Sequence, residues 1–192
     1  MISLTTVFWL LVLLFGIIGA LRGWAKELLT AIATIWGITL IVVLERFLPL
    51  FPQNPGGPYF VWRAIILALM AFFGYHTPRV AARLAPKTRQ EGFRDAALGM
   101  VMGFLNGYLI LATLWYYLDQ AGYPVNAIIP PYATPGLTHT DPAIQERLQS
   151  IVKTLPDDAQ DILRWALPRL MGWPWIVLLA LAAGLFLFIV FI

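Results

Sequence analysis

The chain contains no cysteine, which excludes disulfides, thiolate zinc sites and cysteine-ligated iron–sulfur clusters. Charge is scarce as well: only 12% of the 192 residues are charged, about half the usual share for a soluble domain. Histidine occurs twice, at His76 and His139, and serine twice, at Ser3 and Ser150. No HExxH or paired-histidine spacing is present, which argues against a metal site. Neither serine sits in a GxSxG context, which argues against a nucleophilic triad. A Walker A loop and a dinucleotide fingerprint are also missing. The expectation is a protein that is not an enzyme and holds no cofactor.

What the chain has is apolar length. Hydrophobic residues make up 60% of it, the mean hydropathy is +0.77, and the apolar residues fall in long runs instead of amphipathic stripes. A helix crossing the hydrocarbon core needs about 20 mostly apolar residues. Five segments meet or approach this: Ser3–Leu21, Lys26–Val43, Tyr59–Tyr75, Ala96–Leu118 and Trp173–Ile192. The first has no positive n-region and a poor cleavage signal, so it reads as an uncleaved first helix. The fold class expected is all-α: a polytopic transmembrane bundle of four core spans and a fifth C-terminal span, with amphipathic helices in the outer loop. The organisation expected is a four-span unit over 1–118, an extracytoplasmic loop over 119–172 and a last span over 173–192.

Lysine and arginine bias orients the bundle. Arg22 and Lys26 follow the first span, and Arg79, Arg83, Lys87, Arg89 and Arg94 lie between the third and fourth. This predicts cytoplasmic loops at 22–26 and 76–95 and an N-terminus outside. Arg164 and Arg169, just before the last span, pull the other way. The net charge of +3 follows from this topology and does not call for a nucleic-acid partner. Trp24, Trp62, Trp115, Trp173 and Trp175 fall near span ends, where amphipathic rings settle at the headgroup level.

Residues 119–172 begin with a proline- and glycine-rich stretch. Two amphipathic helices are expected after it, in TDPAIQERLQSIVKTL and in PDDAQDILRWALPRL. Their polar faces carry both signs, which favours packing on protein over binding anionic lipid.

Within the spans no Asp, Glu, Lys or Arg stands near a midpoint, which disfavours a small channel or transporter. Glu27 and Asp95 are expected in the first turns of their helices, where the dipole favours a carboxylate. With Arg22, Lys26 and Arg94 they are candidates for one cytoplasmic charged cluster. Gly99, Gly103 and Gly107 repeat every four residues on a single helix face. In water each such glycine costs about 1 kcal/mol against alanine, but in lipid small residues let helix backbones approach. The expected partner face is Gly16, Gly19, Ala20 and Gly23. Asn106 borders the stripe near mid-span, where a buried amide needs a hydrogen-bond partner on another helix; lining a pore or touching a ligand is the other reading.

Two stretches, FGIIGALRGWAKELL (Gly16, Gly19, Arg22, Gly23, Glu27) and RDAALGMVMGFLNGYL (Asp95, Leu98, Gly99, Gly103, Gly107), resemble the CvpA family, the colicin V production protein family of bacterial inner-membrane proteins. The resemblance covers roughly residues 3–120. It departs at Ala96, where the family often has a basic residue, and at Asn106, where it often has another. It implies a multi-spanning inner-membrane protein without established enzymatic chemistry, linked to toxin production or export and to envelope maintenance. The partners expected are the lipid bilayer and other membrane proteins or further copies of the chain, with no small-molecule substrate evident. The alternatives are an accessory subunit of a larger energy-converting or photosynthetic membrane complex and, third, a small channel or transporter.

Overall fold

The computed structural model describes residues 4–48, 57–76, 89–121 and 157–191. Every regular element among them is an α-helix: α1 (Leu4–Arg22), α2 (Trp24–Phe47), α3 (Gly57–Tyr75), α4 (Arg89–Gln120), α5 (Asp157–Arg164), α6 (Leu167–Leu170) and α7 (Trp173–Phe191). The first four are each long and apolar enough to cross a membrane. α7 is apolar along all 19 of its residues. These five helices coincide with the five apolar runs of the sequence. The helix expected over 140–155 lies outside the described residues, as do His139, Ser3 and Ser150.

Two boundaries differ from expectation. α1 and α2 are parted by Gly23 alone, at φ +85°, a backbone region open to glycine and strained for other residues. α2 therefore starts at Trp24, and Lys26 is helical instead of part of a loop. The early start has a physical cause. The Trp24 amide, one of the orphan donors of a helix N-terminus, donates to Asp95 Oδ1 of α4 at 3.1 Å. A local cap would normally supply that oxygen; Gly23 has none, so another helix provides it. α4 begins at Arg89, seven residues before the expected Ala96, and its 32 residues span about 48 Å at 1.5 Å each. Asp95 thus lies nearly two turns inside α4 and not in its first turn.

α4 is the axis of the bundle. α1 runs antiparallel along one side of it, α2 and α3 pack as a pair on the other, and α1 barely touches α2. α7 leans on α2, with Trp173 edge-on to Phe47 at 6.0 Å between ring centroids and Gly184 against the Trp36 ring. α5 and α6 sit over α1 and α4, and Ile162, Leu163 and Ala166 join Phe8, Val12, Ala112 and Trp115 in one buried cluster. Trp115, expected in the interfacial belt, is instead 5% exposed within this cluster. The expected continuous helix over PDDAQDILRWALPRL is broken. Ala166 is extended at ψ 131°, and Pro168 has no amide for the Arg164 carbonyl and crowds it with its ring. Ile38, Ile41, Leu67, Tyr117 and Ile176 form a second core between α2, α3, α4 and α7.

Candidate functional site

α2 carries one carboxylate in its first turn and one in its last, Glu27 and Glu45. Eighteen residues at 1.5 Å each separate them by about 27 Å, close to the roughly 30 Å of a hydrocarbon core. Each carboxylate meets an arginine, and each arginine lies over a tyrosine ring. The molecule therefore has a charged clamp at either end of α2.

The first clamp is built on Glu27, which is 0% exposed. Arg22 Nη1 at the end of α1 donates to Glu27 Oε1 at 2.5 Å. Asn106 Nδ2, from the middle of α4, donates to both the Glu27 carbonyl oxygen and Oε2 at 2.7 Å. Both partners are acceptors, so the amide nitrogen must point at them. The same guanidinium donates through Nη2 to the Tyr75 carbonyl at 3.1 Å and sits 3.9 Å above the Tyr75 ring. Four helices thus converge on one buried carboxylate. An isolated charge there would be very costly, and the fixed donors offset that cost. Asn106 Oδ1 is buried without a hydrogen-bond partner among the described residues.

The second clamp is built on Arg63, 7% exposed in the second turn of α3. Its Nε donates to Glu45 Oε1 at 2.5 Å and its Nη1 to Gln120 Oε1 at 3.0 Å. The guanidinium lies 3.5 Å from the centre of the Tyr59 ring and 4.8 Å from that of Tyr117, favourable positions over an aromatic face. Tyr59 also donates to Gln120 Oε1, and Gln120 Nε2 to the Tyr116 hydroxyl. A small cleft lined by Ile41, Leu44, Glu45, Tyr59, Trp62, Arg63 and Ile66 opens beside the pair. Between the clamps, Thr30 and Thr34 are fully buried and bond back to their own helix.

The structure places the glycines of α4 beside those of α1. A Cβ on Gly19 would run into the Gly99 carbonyl oxygen and the Gly103 backbone, one on Gly99 into the backbone of Gly19 and Gly23, and one on Gly103 into that of Phe15 and Gly19. At Gly16 and Gly107 the obstacle is a side chain, Phe104 and Phe15 respectively, and at Gly23 it is the Asp95 carboxylate. Ala20 is half-buried.

The five residues grouped as one charged cluster separate into two kinds. Arg22, Glu27 and Asp95 hold helices together, whereas Lys26 and Arg94 are exposed and, among the described residues, make no ion pair. Sequence reading missed the clamp at Arg63, whose head the structure buries against Glu45. The available signal was the pairing of Glu45 with Arg63 near facing ends of consecutive spans. His76, noted in the sequence, stacks on Phe72 at 3.9 Å between ring centroids.

The fold and these clamps define a class: a multi-pass α-helical membrane protein whose buried charges join helices at both ends of the bundle. The family model described as Colicin V production protein matches residues 4–129, a stretch that contains α1 to α4 and both clamps. The chain belongs to that family. No curated protein matches it, and no solved structure does.

Proposed function

We propose that this is a non-enzymatic CvpA-type protein of the bacterial inner membrane that acts through helix packing and protein partners in toxin production or export and envelope maintenance. One observation carries the reading: Glu27, the acidic group buried deepest among the described residues, is closed in by Arg22 and Asn106. A carboxylate serving a substrate faces an open pocket, whereas one serving the fold is surrounded by donors from neighbouring helices. The backbone-on-backbone approach of Gly19 to Gly99 and Gly103 supports the same view, since such contacts are how apolar helices associate in lipid. In this reading the N-terminus is outside, and the α1–α2 corner and the α3–α4 connection face the cytoplasm.

The test is purification from native membrane in a mild detergent, followed by mass measurement of the intact particle. The expected result is a particle heavier than the 21.5 kDa chain, containing further copies or companion membrane proteins in fixed ratio. A lone monomer across a range of mild detergents overturns the proposal.

A further inference from the structure

Arg169, which argued against the topology on the positive-inside rule, is the starting point. α7 begins at the end of α2 that carries Glu45 and Phe47, so its first turn lies at the outer end of the bundle, opposite the Gly23–Asp95 corner. Arg46, in the last turn of α2, places its guanidinium 5.7 Å from the centre of the Trp173 ring. Arg169 in α6 precedes Trp173 by four residues, at most about 14 Å of chain. Both arginines are exposed, and among the described residues neither makes an ion pair.

Of the carboxylates nearby, two are engaged in ion pairs and one is not. Glu45 is held by Arg63 at 2.5 Å, Asp161 pairs with Arg164 at 3.6 Å, and Asp119 makes no ion pair among the described residues. The mixed charge of the outer amphipathic segment, read from sequence as unfavourable to anionic lipid, is therefore partly cancelled within α5. Among the described residues, the charges left without an ion pair around the α2–α6–α7 corner are Arg46, Arg169 and, at the end of α4, Asp119, so positive charge is in excess. The corner is flanked by the amphipathic or apolar side chains of Phe47, Leu170, Trp173 and Trp175, between 40% and 65% exposed. Tryptophans beside arginines at the depth of the headgroups suit a lipid: the rings settle at the interface, the cations meet phosphate, and the exposed face of α7 below receives acyl chain.

We propose that the corner formed by Arg46, Arg169 and Trp173 is a binding site for an anionic glycerophospholipid, which the two arginines hold by its phosphate. Arginine is suited to this because its planar fork matches phosphate oxygens. The bound lipid neutralises positive charge on the face that the topology rule assigns to the outside.

The test uses the full chain in a neutral detergent, with tryptophan fluorescence reporting the thermal midpoint. Dioleoyl phosphatidylglycerol, dioleoyl phosphatidylcholine and inorganic phosphate are titrated separately. The expected result is a saturable rise in midpoint of several degrees with phosphatidylglycerol, beyond any rise with phosphatidylcholine, and none with inorganic phosphate. The double variant Arg46→Gln/Arg169→Gln is expected to lose that excess, Arg46→Lys/Arg169→Lys to keep most of it, and Lys26→Gln at the opposite end to keep all of it. Equal shifts with the two lipids, an equal shift with inorganic phosphate, or an unchanged excess in the double glutamine variant overturns the proposal. If the glutamine variant does not accumulate, native mass spectrometry of the wild-type chain in an equimolar mixture of the two lipids decides. Retained phosphatidylglycerol in several-fold excess supports the site, and equal retention overturns it. None of these outcomes depends on whether the chain has protein partners.

Discussion

Gly19, Gly99 and Gly103 are the positions where one methyl group matters most, because the atoms it would meet are backbone and cannot rotate away. Overpacking costs typically about 1–3 kcal/mol. Gly99→Ala and Gly103→Ala are expected to lower the thermal midpoint in detergent by several degrees. Leu105→Ala, at a side chain 57% exposed, is expected to leave it nearly unchanged, and Gly107→Ala to lower it as well, since the nearest atom there is the Phe15 Cβ, which is fixed to the backbone. Equal midpoints for Gly103→Ala and Leu105→Ala count against the seam. Glu27 permits a second residue-scale test. Arg22→Gln strips its cation and leaves a buried charge, a loss of roughly 3–5 kcal/mol. Adding Glu27→Gln to that variant removes the stranded charge and is expected to recover part of the loss. A strictly additive double-mutant cycle would show that the two side chains are not coupled.

At the scale of the element, the start of α2 depends on a residue seventy-one positions away. Asp95→Ala removes the oxygen that accepts from Trp24. Losing a cap costs about 1 kcal/mol, within a range of about 0.5–2. Amide exchange at Trp24 and Ala25 is expected to accelerate while that of the α2 interior stays slow; unchanged exchange at those two amides refutes the capping role. This is also where the sequence and the structure part company. The apolar runs marked all five long helices, because lipid imposes length and hydropathy on any span. The α1–α4 seam was legible from glycine spacing for the same reason. The one-residue corner at Gly23 was not, since its cap comes from α4, and nothing local to WAKE distinguishes a helix start from a loop. The clamp at Arg63 was hidden too. Arg63 looks like a residue reaching for water until Glu45, Tyr59 and Tyr117 are seen to surround it. The break at Ala166 was foreshadowed by Pro168, which the helical periodicity on both sides masked.

For the whole molecule, the two clamps mark opposite ends of the bundle, the Arg22–Glu27 pair at one and the Arg63–Glu45 pair at the other. The proposed orientation makes the first cytoplasmic. A small tag inserted at Asp141 is then expected to react with a membrane-impermeant reagent on intact spheroplasts, and a tag at Lys87 only after lysis. The reverse labelling pattern overturns the orientation.

α4 lies between α1 and α2, and this has a consequence for biogenesis. When only the first three helices have left the ribosome, the α1–Gly23–α2 corner is an open V. The carboxylate of Glu27 then has Arg22 but not Asn106, and the Trp24 amide has no cap. α4 supplies the missing bonds and fills the V. A nascent chain stopped at residue 88 should therefore be held by the insertion machinery or cleared by membrane proteases. One stopped at residue 121 should accumulate, and pulse-chase lifetimes of the two truncations measure the difference.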